Sequence, residues 1–299
     1  MKPAPFEYVR PASVADALEA LAAHPDAKVL AGGQSLLPLL SMRLAAPSVL
    51  VDVNGLDELA TIEADPDPVT GGVRVGALAR HAEVEAHPGA RAVQPLLSQA
   101  LRHVAHPTIR NRGTTVGSIV HADAAAEMPM VLLLLDGHLT VASTSGRRDV
   151  PAGELFVGPL ETSLHHDELA LAATFPELPP GAGVAKDEVS RRHGDYALCA
   201  VAAQVALDGD AISGVRAGYV SVADVPTVVD LTEELSGGLT DASLAQAAQH
   251  ALDRLDPAAD VHATAAYRAQ LVRTLTARVV RAAHADAVRR SQGREKVGS

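Results

Sequence analysis

The sequence predicts an α+β protein in two parts, the first of them divided again in two. Three observations carry that expectation. Segments with strand-like and helix-like apolar periods are interleaved from Phe6 to Phe175. A Pro- and Gly-rich stretch, Pro176–Gly183, reads as a linker. Beyond it come strand patterns and then helix patterns, a grouping typical of α+β folds.

The elements follow in order. Phe6–Pro11 is a short extended segment. Ser13 has the position of an N-cap, and Val14, Ala17, Leu18 and Leu21 repeat at helical spacing, so Val14–Ala23 is expected to be a helix. His24-Pro25-Asp26 ends it. Val29 and Leu30 begin a buried strand that breaks at Ala31-Gly32-Gly33-Gln34-Ser35 and resumes as an apolar segment from Leu36. Val49–Val53 is a strand closed by Asn54-Gly55. From Thr61 the texture changes: Glu63–Pro68 reads as an acidic loop and Gly72–Gly76 as a strand. A helix starts at His81 and breaks at His87-Pro88-Gly89. Gln94–Val104 is a better helix, with Leu96, Leu97, Ala100, Leu101 and Val104 on one face. His106–Ile119 mixes charged, Gly/Thr and apolar residues without a helical period. Met128–Leu135 is a helix ended by Asp136-Gly137, and His138–Ser143 and Glu168–Phe175 are strands. Past the linker, Tyr196–Leu207 and Ile212–Val222 form a hairpin about Asp208-Gly209-Asp210. Ser243–Leu255 and Tyr267–Ala283 are helices, the second with Tyr267, Leu271, Leu275 and Val279 as its apolar stripe, expected to be buried in its own core.

Three features could converge on one ligand: the Gly32–Ser35 loop, the Thr114–Ser118 loop, and Asp123 with Glu127. A Gly-Gly pair after a strand lets backbone N–H groups face one point without a Cβ in the way, and such a cluster binds anions, phosphate above all. Gln34 and Ser35 add side-chain donors. Carboxylates suit hydroxyl-rich groups such as ribose or ribityl. The combination fits a dinucleotide, although no Gly-x-Gly-x-x-Gly fingerprint is present. Two plainer readings stand beside it: a tight strand-to-helix turn at Gly32-Gly33, and first-turn helix acids at Asp123 and Glu127.

Composition narrows the class. The net charge of −11, from 25 basic and 36 acidic residues, argues against nucleic acid or an anionic membrane as a partner. The single Cys199, in Ala-Leu-Cys-Ala-Val, reads as a buried small hydrophobe and excludes a disulfide or a four-Cys iron–sulfur cluster on this chain. With three Phe, four Tyr and no Trp, a large planar ligand would rest on aliphatic side chains and backbone. No apolar run approaches the ~20 residues of a membrane span, and Met-Lys-Pro-Ala-Pro-Phe has no signal-peptide core. A cytoplasmic protein is expected. No metal-ligand pattern and no Gly-x-Ser-x-Gly elbow is present.

Several motifs, in order, resemble one family. They are Ala31-Gly32-Gly33-Gln34-Ser35-Leu36, His106-x-x-Ile109-Arg110-Asn111-Arg112-Gly113-Thr114, and His121-Ala122-Asp123-x-Ala125-Ala126-Glu127-x-Pro129. Phe156-x-Gly158-Pro159, Glu168-Leu169, Arg191-Arg192-His193-Gly194-Asp195-Tyr196-Ala197 and Tyr267-Arg268 continue the series. The chain is similar to the FAD-binding medium subunit of molybdenum hydroxylases, the carbon monoxide dehydrogenase and xanthine dehydrogenase family. The resemblance implies an FAD-binding fold of the p-cresol methylhydroxylase type over 1–177, in subdomains of about 1–58 and 59–177. A C-terminal flavoprotein-like α+β domain over 184–286 and a disordered tail over 287–299 complete the expected organisation. It implies FAD contacts from Val29, Leu30, Ala31, Gly32, Gly33, Gln34, Ser35, Leu36, Ala105, Thr114, Gly117, Ser118, Asp123 and Glu127, and from Leu169 against the flavin ring. No catalytic residue is implied, since FAD is the redox group. Val116 and Ala124 depart from the family's usual glycine and proline, which leaves the loop geometry open. The implied role is electron transfer from [2Fe-2S] clusters on a small subunit, fed by a molybdopterin-containing large subunit, to an external acceptor. A dimer of heterotrimers is expected. Two other readings remain: a self-contained flavin oxidase, for which His106 or His193 would have to act as base, and a scaffold without flavin.

Overall fold

The computed structural model describes residues 2–67 and 71–295. Pro68, the end of the expected acidic loop, and residues 296–299 lie outside the described residues. The chain forms three packed α+β units. In the first, β1 (Glu7–Val9), β3 (Val49–Asp52) and β2 (Lys28–Leu30) make a parallel sheet in the order β1-β3-β2. α1 (Val14–Ala23) links β1 to β2 and α2 (Leu36–Met42) links β2 to β3. Ser13 caps α1 as its sequence suggests, accepting from the Asp16 N–H at 3.1 Å. Parallel strands place their carboxyl ends along one edge, where ligands of open α/β sheets are bound. The Gly-Gly loop leaves β2 there, and Asn54 follows β3 at the same edge.

The second unit carries an antiparallel sheet in the order β4-β5-β10-β6-β7. Its strands are β4 (Ile62–Asp65), β5 (Gly72–Gly76), β6 (His138–Ser143), β7 (Gly146–Pro151) and β10 (Leu169–Pro176), with a two-stranded outlier, β8 (Phe156–Gly158) and β9 (Glu161–Thr162). Between β5 and β6 run α3 (His81–Ala86), α4 (Pro88–Val93), α5 (Pro95–Leu101), α6 (Pro107–Arg110), α7 (Thr115–His121) and α8 (Glu127–Leu134), and α9 (Ala152–Leu155) follows β7. Prolines open α4, α5 and α6 at a position that needs no N–H partner, which is why this segment is a chain of short helices. The lack of a helical period over 106–119 reflects two helices of four and seven residues, too short to show one.

The third unit is an antiparallel sheet, β11 (Ala182–Ser190), β12 (Ala197–Asp208), β13 (Ala211–Val220) and β14 (Thr227–Asp230), followed by α10 (Thr232–Leu235), α11 (Asp241–Leu252) and α12 (Ala265–Glu295). The uninterrupted apolar run of β12 is explained by burial on both faces. Ala200 and Ala202 join the core of the second unit, while Cys199, Val201, Ala203 and Val205 join the core under α11 and α12. The face toward the second unit is lined by small residues because α8 sits close: a Cβ on Gly218 would lie 2.8 Å from Met130 Cγ. Cys199 is fully buried, and desolvation pushes its thiol up to about 12, so it behaves as the small hydrophobe expected.

Two expectations are corrected. The stripe of α12 is buried at Leu271, Leu275 and Val279, but Tyr267 is exposed because it lies in the first turn, at the edge of the sheet. The tail expected to be disordered from 287 is helical as far as Glu295. Its polar residues keep α12 going, with Asp286 bonded to Arg289 and Arg290 at helical spacing, and Ala287 is fully buried. Ala287 packs on β11, where a Cβ on Gly183 would meet the Ala287 nitrogen at 2.1 Å and the Ala283 oxygen at 2.4 Å. The helix backbone therefore rests directly on the strand. Gly183→Val should destabilise the protein by about 1–3 kcal/mol or more through overpacking. An unchanged thermal midpoint in this variant would contradict the packing.

Candidate cofactor site

The Gly-Gly loop and the Arg112–Thr114 stretch touch backbone to backbone. A Cβ on Gly32 would lie 2.4 Å from the Arg112 oxygen and 2.7 Å from Gly113 Cα. No other residue type fits without separating the loops. Gly33 follows with φ +72°, which turns the chain into α2. Beyond the turn, the Leu37 N–H bonds to the Gly33 carbonyl at 3.0 Å and Gln34 Nε2 donates to the Gly32 carbonyl at 3.2 Å. Among the described residues, the N–H groups of Gly32, Gly33, Gln34 and Ser35 donate to no group of the chain. Free backbone donors of this kind are what an anion requires.

Two side chains hold the loops together. Asn54 Nδ2 donates to the Ala31 carbonyl at 2.7 Å and to Asp52 Oδ1 at 2.7 Å, and reaches the Leu30 carbonyl at 3.3 Å. Arg80 donates to Asn54 Oδ1 at 2.9 Å and to the Arg112 carbonyl at 2.7 Å. Asp52 completes the line by accepting from the Tyr8 hydroxyl. Burial opposes ionisation of Asp52, but the hydrogen bonds from Tyr8 and Asn54 outweigh it and hold the carboxyl below its ordinary range. Sequence reasoning missed Asn54 and Arg80. The signal for Asn54 was its place after a parallel strand beside the Gly-Gly loop. Arg80 had none, since its partners are remote in sequence.

The second loop is braced from within. His81 is buried, its ring 3.2 Å from the Thr115 hydroxyl and its N–H bonded to the Gly113 carbonyl at 2.9 Å. Desolvation, and then the nearby Arg110, lower the His81 pKa to about 4, so the ring is neutral. Thr114 caps α7: its hydroxyl accepts from the Gly117 N–H at 3.1 Å and its carbonyl from the Ser118 N–H at 3.0 Å. The expectation that both loops offer backbone N–H groups thus needs amending. Gly117 and Ser118 spend theirs on Thr114, so these two residues add no free backbone donor. A Cβ at Gly117 would meet Thr114 Oγ1 at 2.5 Å, which accounts for that glycine. The departure at Val116 leaves the loop face clear, because its side chain is buried in the core. Ala124 keeps the role of its backbone: its carbonyl accepts from Ser221 of the third unit at 2.9 Å.

The remaining candidates lie on several elements. Val29, Leu30, Ala31 and Leu36 are half-buried about the Gly-Gly turn. Leu169 opens β10 and is buried in the core. Ala105 has φ +46° and is pressed by the third unit, since a Cβ on Gly194 would lie 3.1 Å from its carbonyl carbon and 2.6 Å from His106 Cε1. Asp123 is half-exposed, with Oδ1 accepting from the Ala125 N–H at 2.9 Å. Glu127 is the first residue of α8 and is buried. Desolvation of its hydroxyl, and then the charge of Asp123, push the Tyr196 phenol up to about 12, although most of that residue is exposed.

A turn of unpaired N–H groups at the carboxyl edge of a parallel sheet, seated on a second loop, defines an anion-binding site of the kind that dinucleotides use. Comparison with known proteins supplies the kind. Residues 4–178 match the FAD binding domain in molybdopterin dehydrogenase, and residues 185–283 match the CO dehydrogenase flavoprotein C-terminal domain. The 6-hydroxypseudooxynicotine dehydrogenase complex subunit alpha of Paenarthrobacter nicotinovorans is 42% identical over 94% of this chain and 95% of its own. The nicotine 6-hydroxylase medium subunit of the same organism is 40% identical over 94% and 98%. A chain of carbon monoxide dehydrogenase from Hydrogenophaga pseudoflava superimposes with a TM-score of 0.89 at 32% identity, covering 96% of this chain and 99% of that one. The chain belongs to the FAD-binding medium subunits of the molybdenum hydroxylase family and is an oxidoreductase subunit. The first loop, with its free N–H groups and its glycine cradle, fits the phosphates of FAD. Among the described residues, no helix is long and apolar enough to cross a membrane and no group of side chains could hold a metal ion.

The glycines make a testable pair. Gly32→Ala places its Cβ on backbone, whereas Gly33→Ala meets only the ends of Leu37 and Leu30 and bears the strain of a left-handed residue, about 1–2 kcal/mol. Titration with FAD should show Gly32→Ala weakened about tenfold or more beyond Gly33→Ala, each tenfold step being ~1.4 kcal/mol. The reverse order would contradict the loop contact.

Proposed function

We propose that this chain is the electron-transfer flavoprotein of a molybdenum hydroxylase complex, relaying electrons from iron–sulfur clusters on a small partner subunit to an external acceptor. The observation that carries the proposal is the two-loop cradle itself, which offers free phosphate donors and no acid–base pair poised for substrate chemistry. Bound FAD would supply the redox chemistry, accepting electrons from the partner side and passing them on. The chain's own residues bind and orient it. Gly32, Gly33, Gln34 and Ser35 donate N–H groups to the pyrophosphate, with Ser118 and Thr114 on the facing loop. Val29, Leu30, Ala31, Leu36, Ala105 and Leu169 form the apolar walls. Gly117 acts indirectly, by allowing the Thr114 cap.

The single buried cysteine supports a division of labour, since thiolate-bound clusters must then lie on another chain. The names of the relatives point the same way. They divide among nicotine, 6-hydroxypseudooxynicotine and carbon monoxide, while this chain aligns with each over nearly its whole length. Substrate choice then belongs to a large molybdopterin subunit. His106, Pro107, Thr108, Asn111 and Arg112 are exposed beside the cradle and are the proposed contact with the iron–sulfur subunit. Neither His106 nor His193 is placed as a catalytic base: the His106 ring is packed against Gly194, and His193 lies in an exposed turn. The flavin unit is proposed to end near 177 and the C-terminal unit to begin near 184.

Purified alone, the chain should take up FAD, show flavin absorption and bleach with a chemical reductant, yet remain oxidised when offered nicotine, related N-heterocycles or carbon monoxide. Bleaching by such a substrate should require the iron–sulfur and molybdenum subunits. Substrate-driven bleaching of the single chain would overturn the relay and favour a self-contained oxidase.

A further inference from the structure

The chain is acidic overall, with 36 acidic and 25 basic residues, yet one face departs from that balance. Two segments press together to build it. The turn after α5 carries Ala105 and His106, and the loop between β11 and β12 carries Gly194. A Cβ on Gly194 would lie 2.6 Å from His106 Cε1 and 3.1 Å from the Ala105 carbonyl carbon, so no side chain fits between them. Each segment is also held from within. Arg110 Nη1 donates to the Val104 and Ala105 carbonyls, each at 3.1 Å, while its Nε donates to Glu85 at 2.8 Å. In the other loop, Ser190 Oγ and the Asp195 N–H donate to the Arg192 carbonyl at 2.9 and 3.0 Å. The surface is therefore made of two fixed turns from different units.

Arg102, Arg112, Arg191 and Arg192 are exposed on these segments. The acids beside them already have partners. Asp195 pairs with Arg192 at 3.0 Å, and Glu85 pairs with Arg110. Glu188, at the end of β11, is held by Lys186 and His103. Arg191 donates to His262 Nδ1 at 3.3 Å, which leaves its charge uncompensated by a carboxylate, and Asp260 nearby in sequence is taken by Arg268. Among the described residues, Arg102, Arg112 and Arg191 form no ion pair. An excess of positive charge thus stands on an acidic protein. Val261, next to His262, adds an apolar side chain that is 94% exposed. Arginine is enriched at protein interfaces, and lysine is depleted there.

We propose that this face docks an acidic surface of the iron–sulfur subunit, with the 102–112 segment and the 191–195 loop forming one interface. This docking rests on the electron-relay reading above and deepens it, since it adds a contribution from the third unit and fixes the charge of the partner. Two observations choose the occupant. Electron transfer weakens steeply with distance, so electrons must enter close to the cradle, and the Arg112–Gly113 backbone is part of that cradle. A cationic face on a chain of net charge −11 attracts an acidic surface, while the rest of the chain repels it and so restricts where it lands. A second copy of this chain, itself acidic, is the competing occupant, but it would bring no cluster to the flavin. Exposed charges of this kind act chiefly on the association rate.

The test is the association rate of the full, FAD-loaded chain with the iron–sulfur subunit of its complex, in about 0.1 M and about 1 M salt, where screening lengths are ~10 and ~3 Å. The wild-type rate should fall about tenfold or more at the higher salt. Arg102→Glu and Arg191→Glu should each slow association about threefold or more at low salt and match the wild type at high salt. Arg147→Glu makes the same change of net charge on the exposed edge strand β7 and should leave the rate near that of the wild type. Arg102 and Arg191 are exposed and outside the cradle, so unchanged FAD uptake and thermal midpoint confirm that their variants are folded. Equal slowing by all three reversals, no slowing by either variant on this face, or a rate indifferent to salt would overturn the docking surface. Self-association of the wild type that Arg191→Glu abolishes would overturn it in favour of a second copy. A chain that takes up FAD yet binds no iron–sulfur subunit at either salt would overturn the relay reading as well, which separates the two failures.

Discussion

The site depends on one contact, the seating of Gly32 against Arg112 and Gly113. Everything in the cradle follows from two loops, distant in sequence, meeting without side chains between them. The Gly-Gly turn alone would be a strand-to-helix connection, and the Arg112–Thr114 stretch alone would be the approach to a short helix. Pressed together they set the unpaired N–H groups of the Gly32–Ser35 turn beside the Arg112–Gly113 backbone. Asn54 and Arg80 fix the spacing, because their hydrogen bonds end on the carbonyls of Ala31 and Arg112. Those bonds use backbone acceptors and leave the N–H groups facing outward.

The third unit finishes the site without lining its centre. β12 is buried on both faces, so the sheet cannot shift without disturbing two cores. Arg268 anchors that sheet to α12, donating to the Leu198 and Ser221 carbonyls at 2.6 and 2.8 Å and to Asp260 at 2.6 Å. From this base the unit reaches the second unit in three places. Gly194 packs on His106, Ser221 bonds to the Ala124 carbonyl, and Glu188 meets His103. A chain built this way ties the short helices of its second unit to its C-terminal sheet.

Much of this could be read from the residues. The Gly-Gly loop, the Thr114 loop and the two acids were legible because glycine, threonine and acid patterns are local. So was Glu127 as a helix-start acid, and the structure lets it be both that and a candidate ligand. β11 was not legible: Lys186, Asp187 and Glu188 interrupt its apolar pattern, and the partners of Glu188 and Asp187, His103 and Arg278, are remote in the chain. β4 was hidden in an acidic loop pattern and β7 in Gly-Arg-Arg-Asp, both at sheet edges where polar residues are tolerated. Asn54 looked like the end of a strand. Its function arises only when Arg80, 26 residues later, folds back onto it.

The central claim, that the two loops act as one cradle held by the Asn54–Arg80 link, is tested most directly by a double-mutant cycle on FAD affinity with Asn54→Ala and Arg80→Met. The account predicts that each change weakens FAD binding and that the double variant is no weaker than the poorer single one, a coupling of about 0.5–3 kcal/mol. Losses that simply add, or single variants that bind FAD as the wild type does, would contradict it.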